Sequence, residues 1–335
     1  MPILIVNQDE VRRLLPMAEC LEVMEETLAA LARGEALLPL RQVLMLPGGQ
    51  GAFAAMPAHL SSPSAIGIKV ITVFPGNHGT EYDSHQGAVL LFETEHGRLL
   101  AVMDATSITA IRTAAVSGVA TRILSRAAAR TLALLGSGVQ AATHLDAVAL
   151  VRPLQRVRVW SRDPGHVSRF VAAARARHPF DIQAAASARE AVADADVVCT
   201  VTASREPVLE GAWLRPGTHV NAVGASLRTA RELDSAAVAR ARVFVDRRES
   251  AASEAGDLLI PRAEGAIGDG HVQGELGEVL LGRVDGRRAD DEITLFKSLG
   301  LAVEDVASAH HIHARARATG VGTWVELGGS RDASG

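Results

Sequence analysis

The sequence predicts an α/β chain in two parts, a mixed α+β region followed by a doubly wound parallel sheet. Three observations predict it. Short apolar runs separated by turn signals fill roughly the first hundred residues. From about Thr109 onward, strand-like and helix-like patterns alternate. A glycine-rich turn at residues 136–138 joins an apolar strand to a helix. A length of 335 residues suits two domains of about 150 residues each. The scarcity of aromatics beside abundant Ala, Val and Leu fits an α/β core better than a sandwich.

Residues 3–6 form a short apolar run. Asn7 can cap a helix over residues 8–15, and Pro16 restarts a second helix that passes Leu31 and ends at Gly34. The period then changes. Residues 41–46, 53–56, 66–74, 88–92 and 99–103 are apolar runs, with turns at Gly48-Gly49, Pro75-Gly76 and Glu95-His96-Gly97. Five strands joined by short turns imply a largely antiparallel sheet. Further on, residues 131–135, 157–160, 197–201, 219–223 and 243–245 read as strands, with Ile182 as short strand material. Residues 139–150 and 167–177 read as helices. Parallel strands need long crossovers, so this alternation gives a parallel sheet. The charged stretch 285–291 reads as a surface loop, residues 303–318 as a late helix, and residues 328–335 as a frayed tail.

Bulk properties exclude several classes. A net charge of −4 argues against a nucleic-acid binder. Apolar runs break well before the roughly 20 residues that a membrane span needs. The start lacks the pattern of a signal peptide. Cys20 and Cys199 make neither a disulfide framework nor a metal knuckle, and read as small buried hydrophobes. A reducing cytoplasm is the expected setting.

The strongest local signal is Gly136-Ser137-Gly138-Val139-Gln140-Ala141, a G-x-G-x-x-A turn after an apolar strand. Gly136 permits the tight turn, Gly138 lets the backbone approach a pyrophosphate, and Ala141 is small enough for helix–strand packing. The helix N-terminus offers free N–H groups and partial positive charge to phosphates. Ser161 stands where an acid would hold the ribose hydroxyls of NAD. Arg162 follows and suits a 2′-phosphate, which favours NADP(H), while Asp163 leaves NAD(H) open.

Two cations stand out. Thr109 reads as an N-cap, which places Arg112 and Thr113 in a first helical turn. A cation there opposes the macrodipole unless an anion, such as a substrate carboxylate or a cofactor phosphate, sits in front. Lys69 lies inside an apolar strand, where a Lys either snorkels to an edge or lines a polar cavity. Arg41, on the strand before, can converge on the same place. His85 precedes a strand after a polar loop and is a candidate for lining the site. His310 and His313 share a helical face but lack further ligands at metal-site spacing. A solvated or dimer-facing helix is expected, and no metal.

Taken together, the chain resembles the ornithine cyclodeaminase/mu-crystallin family. The matching stretches are Gly67-Ile-Lys69-Val, His85-Gln-Gly, residues 104–115 with Ile111-Arg112-Thr113-Ala-Ala, the glycine turn, Asn221-Ala-Val-Gly224-Ala-Ser226, and residues 296–305 from Phe296 to Asp305. They run in order across nearly the whole chain. The resemblance implies a substrate-binding and dimerisation domain of residues 1–112 plus 304–335. A Rossmann domain of residues 113–303 is inserted between its parts. It implies that Arg41, Lys69 and Arg112 hold a substrate carboxylate, with His85 and Ser226 nearby. It also implies that Thr113, Thr202, Ala203, Ser204, Val223, Gly224 and Ser226 join the glycine turn in lining the cofactor.

One departure matters. The ornithine-cyclising members carry an aspartate where this chain has Ser226, and Ser has no charge for that work. Ketimine reductases resemble this chain both there and at Ser161. The resemblance therefore implies NAD(P)H-linked reduction of a small ketimine acid, such as Δ1-pyrroline-2-carboxylate, by a homodimer; Lys69, or a water it holds, is the candidate proton donor. Asp83, Glu81 or Glu304 can supply a carboxylate instead, which leaves ornithine cyclodeaminase or a related amino-acid dehydrogenase as the alternative. A non-catalytic NADPH-dependent binding protein is the second alternative. Alanine at Lys69 or Arg112 is expected to abolish most turnover and leave the fold intact.

Overall fold

Asn7 ends the first strand, β1 (Pro2–Val6), and opens the first helix, α1 (Gln8–Leu14). Its side chain accepts from the amides of Asp9 and Glu10, and Glu10 returns a bond to the Asn7 amide, a reciprocal cap. Helix α2 (Met17–Arg33) stops at Gly34, which takes the left-handed conformation that a C-terminal cap needs. Strands β2 (Ala36–Leu37), β3 (Gln42–Met45), β4 (Ala52–Ser61), β5 (Ser64–Val73), β6 (His85–Phe92) and β7 (Leu99–Asp104) follow. Helix α3 (Ala105–Leu124) leads on to β8 (Thr131–Leu135), α4 (Val139–Val151), β9 (Arg156–Trp160), α5 (Pro164–Arg175), β10 (Asp181–Ala184), α6 (Ala188–Val192) and β11 (Val197–Thr200). The remaining elements are β12 (His219–Ala222), α7 (Ser235–Arg240), β13 (Arg242–Val245), α8 (Arg248–Glu254), α9 (Gly256–Ala263), β14 (Val272–Glu275), α10 (Leu276–Leu280), β15 (Thr294–Lys297), α11 (Ala302–Thr319) and β16 (Thr323–Glu326). This computed structural model describes residues 2–77 and 79–328. Most of the tail expected to fray, residues 329–335, lies outside them.

The chain divides into two units, residues 1–112 with 301–335, and residues 113–300. In the first unit, eight strands form one sheet in the order β16-β1-β7-β6-β5-β4-β2, with β3 also on β4. Pairing is antiparallel throughout except between β1 and β7, which run parallel. The expected antiparallel meander is thus its middle, and the sequence reading did not pick out β2 or β16. Helix α11 packs on β4, β5 and β6 and against α2. Of the two settings expected for the late helix, solvated or dimer-facing, the solvated one is corrected here for its first half. Residues 302–309 of α11 are all buried, because its Ala, Val and Ser side chains are small enough to lie flush on a sheet and its two acids, Glu304 and Asp305, pair with cations.

The second unit is a sheet of eight parallel strands in the order β10-β9-β8-β11-β12-β15-β13-β14. Chain order reverses at β8, with β9 and β10 on one side and β11 onward on the other. In such sheets the crevice at the carboxyl ends of the strands flanking the reversal receives the ligand. Strand β15 enters between β12 and β13, late in the chain, and all four of its residues are buried.

Candidate functional site

The first unit assembles a cluster of buried charge. Along one row of the sheet, Met56 pairs with Lys69, Lys69 with Val89, and Val89 with Met103. Met56, Val89 and Met103 are buried, so Lys69 points into the face that α11 covers. Gly67 lies two residues earlier on the same face. A Cβ there would stand 2.8 Å from Val306 Cγ2 and 2.9 Å from Leu90 O, so its absence lets α11 seat directly on β5. That close approach brings Asp305, the residue before Val306, over Lys69.

Lys69 is 2% exposed, and Glu304 and Asp305 are wholly buried. Lys69 Nζ lies 2.8 Å from Asp305 Oδ2, an ion pair between two buried groups. It also lies 3.5 Å from Thr109 Oγ1. Arg112 donates through Nε to Asp305 Oδ1 at 3.0 Å and through Nη1 to Glu304 Oε2 at 2.7 Å. Asp305 therefore bridges the two cations. Both acids sit in the first turn of α11, whose cap residue Leu301 has no side-chain bond to offer, so the helix dipole favours them there. Burial, with the neighbouring Arg112 charge, lowers the Lys69 amine to about 8, while Asp305 works to raise it. Burial also opposes the charge on Arg112, but Asp305 and Glu304 outweigh it and hold the guanidinium charged.

The reading of Arg112 as a first-turn residue is corrected. Helix α3 starts at Ala105, and the carboxylate of Asp104 accepts from the amide of Ser107 at 2.7 Å, which makes Asp104 the cap. Arg112 is about two turns further on. Its counter-charge is the pair of acids on α11, not an anion at the helix mouth. Arg41 directly precedes Gln42, which pairs with Ala55, so Arg41 is level with Met56 and Lys69, and its charge is felt at Lys69. His85 opens β6 with its Nδ1 3.1 Å from Ser84 Oγ. Its outer side meets solvent, yet surrounding atoms and the Lys69 charge lower its pKa. Glu81 and Asp83 are exposed on the loop before β6.

The second unit presents the glycine turn. Gly136 has φ +127°, and a Cβ there would strike Val201 O at 2.7 Å, so both the turn and its packing require glycine. Gly138 caps α4 without any side-chain bond. A Cβ on it would meet nothing within 4 Å, so space is kept open in front of uncapped amides at Val139 and Gln140. Ala141 is fully buried, as helix–strand packing requires. These residues fit a dinucleotide pyrophosphate. Ser137 Oγ and Ser161 Oγ are 2.9 Å apart. The carboxylate of Asp163 accepts from the amides of Gly165 and His166 as the cap of α5, and Arg162 is exposed. Thr113 is buried in α3, and Ser226 is exposed.

Three residues that the sequence reading missed hold the candidate cofactor loops. Glu232 is wholly buried. One of its oxygens takes the Thr202 amide and hydroxyl, each at 2.7 Å, and the other takes the Thr200 hydroxyl at 2.8 Å and the Gly224 amide at 2.7 Å. Asp257 accepts from the Glu232 amide at 2.7 Å and from Lys297 Nζ at 2.8 Å, and Lys297 also donates to Ala225 O at 2.6 Å. The segments that follow β11 and β12 thereby converge so tightly that a Cβ on Gly224 would stand 2.1 Å from Thr202 O. Burial and the Asp257 charge raise the Glu232 pKa. Lys297 sits in an apolar run, the same signal that drew attention to Lys69.

The family model of the ornithine cyclodeaminase/mu-crystallin family matches residues 3–320. The chain is 38% identical to the ketimine reductase mu-crystallin of Mus musculus, over 87% of this chain and 90% of that protein. It resembles the structure of Thermococcus litoralis Δ1-pyrroline-2-carboxylate reductase in complex with NADH and L-proline, with TM-score 0.94 and 38% identity, covering 96% of this chain and 99% of that one. An archaeal alanine dehydrogenase dimer with bound NAD matches with TM-score 0.92 and 34% identity, covering 98% and 100%. In sequence and in fold, therefore, the chain belongs to the ornithine cyclodeaminase/mu-crystallin family.

Proposed function

We propose that the protein reduces a small cyclic or linear ketimine acid, with Δ1-pyrroline-2-carboxylate as the reference substrate, to the amino acid with a reduced nicotinamide cofactor. One observation carries this reading. Lys69 and Arg112 are buried beside each other, joined through Asp305, and the Arg41 charge is felt at Lys69, so cationic side chains from three segments converge on one place in the first unit. An α-carboxylate is the group that such a convergence of cations suits. In this reading Arg41, Lys69 and Arg112 bind that carboxylate, and binding fixes the adjacent C=N. Reduction needs a protonated imine nitrogen. Lys69, whose amine titrates at about 8, holds a proton at neutral pH and can give it to that nitrogen. His85, kept neutral, lines the same place without adding charge.

Residues 136–140, Thr113, Ser161, Arg162, the loop 202–204 and residues 223–226 are the proposed cofactor contacts. When bound, the reduced nicotinamide supplies a hydride to the imine carbon. We place NADP(H) ahead of NAD(H), because Ser161 offers the ribose no carboxylate, Asp163 is engaged as a helix cap, and Arg162 is exposed beside them. Residues 1–112 with the C-terminal helix form the proposed substrate and dimerisation domain. A second copy is the proposed partner. Strand β3 exposes Val43, Leu44 and Met45 in a row at the edge of the sheet, with Leu44 63% exposed, and uncovered apolar edges invite pairing. The two cysteines are buried free thiols, which accords with a cytoplasmic setting.

The test is an NADPH and NADH oxidation screen of the purified protein against Δ1-pyrroline-2-carboxylate, Δ1-piperideine-2-carboxylate, iminosuccinate, and pyruvate with amines. Turnover of a cyclic or linear imino acid supports the proposal. Proline and ammonia formed from L-ornithine with NAD⁺ would favour the cyclodeaminase alternative instead. Tight NADPH binding without any oxidation would indicate a binding protein.

A further inference from the structure

We propose that Asp305 is a positioning residue that keeps the Lys69 amine charged and fixes its place beside Arg112. The proposal rests on the function proposed above and names a residue that acts through Lys69 rather than on the substrate. The geometry is specific. One oxygen of Asp305 faces Lys69 Nζ at 2.8 Å, while the other accepts from Arg112 Nε at 3.0 Å. Glu304, its neighbour, takes only Arg112 of the two. The wholly buried Asp305 is set over Lys69 by the seat of Val306 on Gly67, so the bridge is built by close packing rather than by flexible surface groups.

Composition adds an independent reason. The chain has two lysines, Lys69 and Lys297, against 32 arginines. Both lysines are buried, and each lies 2.8 Å from an aspartate. An arginine stays protonated under any ordinary condition, whereas a buried lysine can lose its proton near neutrality. At Lys69 the forces are opposed. Burial, Arg112 of α3 and Arg41 ahead of β3 drive the proton off, and Asp305 of α11 holds it on. Glu304 of α11 faces the same cluster through Arg112, and His85 of β6 senses the Lys69 charge. Cys20 of α2 lies near Arg112 and Glu304, and burial keeps it a thiol. Of all these groups, Asp305 is the carboxylate in direct contact with the Lys69 amine.

With two lysines, the full-length protein carrying ¹³C-labelled lysine gives two Cε signals whose midpoints can be followed directly. Loss of one signal in Lys69→Met, or of the other in Lys297→Arg, assigns them. In Asp305→Asn the Lys69 midpoint should fall by about one to three pH units, the usual effect of removing an opposite charge at this range. The basic limb of the kcat profile should move down with it. Asp305→Glu, which restores the charge but not the reach, should return the midpoint towards that of the wild type while kcat stays reduced. Should Asn not pack, Asp305→Ser removes the same charge in a smaller side chain. A Lys69 midpoint unchanged in a folded, charge-free variant overturns the proposal. A midpoint that falls while the rate profile stays in place upholds the electrostatic hold and instead removes Lys69 from the proton step, which separates this proposal from the reading it rests on.

Discussion

Replacing Arg112 by alanine should weaken the fold as well as the chemistry, contrary to what the sequence alone suggests. Arg112 is buried and is shared by two wholly buried carboxylates, at 2.7 Å from Glu304 and 3.0 Å from Asp305. Without it, both buried acids lose the guanidinium they share, and Lys69 still faces Asp305 alone. Breaking a buried pair from one side costs about 3–5 kcal/mol, a large share of the 5–15 kcal/mol typical of a domain. Urea unfolding can be followed through Trp324, which lies in the first unit, after Trp160 and Trp213 in the second are changed to Phe. The unfolding free energy should drop by an amount in that range, and Arg112→Ala/Glu304→Gln, which also removes the carboxylate that Arg112 bonds most closely, should recover much of it. Residual kcat/KM should be lower by on the order of 10²-fold or more, since one charge contact to a buried anion is lost. A single variant that unfolds within about 0.5 kcal/mol of the wild type, as a surface substitution does, would refute the buried pairing.

Other consequences are as direct. Gly138→Val should leave the melting temperature nearly unchanged, because its Cβ meets open space, yet weaken dinucleotide binding at least about tenfold by calorimetry, because the added bulk stands where the pyrophosphate backbone approaches. Arg162→Ala should lower kcat/KM with NADPH by about 10–100-fold, the worth of a charge-assisted bond, with little change for NADH, and equal losses would remove Arg162 from cofactor choice. His144 is buried, with Nδ1 2.7 Å from Gln140 O and Nε2 2.9 Å from Ser117 Oγ, and burial lowers its pKa to about 4. Between its ordinary 6.5 and 4 the unfolded chain binds the extra proton, so stability is full above 6.5 and falls as pH falls, by up to about 3 kcal/mol. Denaturant midpoints at pH 7 and pH 4.5 should show a smaller difference in His144→Gln than in the wild type.

Much of this architecture is legible in the residues themselves. The cap at Asn7, the stop at Gly34 and the turn from Gly136 to Gly138 use side-chain and backbone rules that act within a few residues, and each element begins or ends where those rules place it. Lys69 stands out because a lysine inside an apolar strand demands a partner. The partner itself is not local. Asp305 lies far along the chain and reaches Lys69 because Gly67 lets a distant helix settle on the strand. The start of α3 was misplaced for a related reason, since Asp104 ends a strand and caps a helix at once, and its second role hides in the first. Strand β15 and the Glu232–Asp257–Lys297 group escaped notice because their pairing joins segments far apart in sequence.

The carboxylate dependence of turnover tests the central claim most directly. Initial rates of NADPH oxidation should be compared for Δ1-pyrroline-2-carboxylate and for Δ1-pyrroline, which has the same ring imine and no acid group. A carboxylate-binding convergence of Arg41, Lys69 and Arg112 predicts efficient reduction of the first and, at equal concentration, a rate lower by on the order of 10³-fold for the second. Comparable rates for the two imines would contradict it.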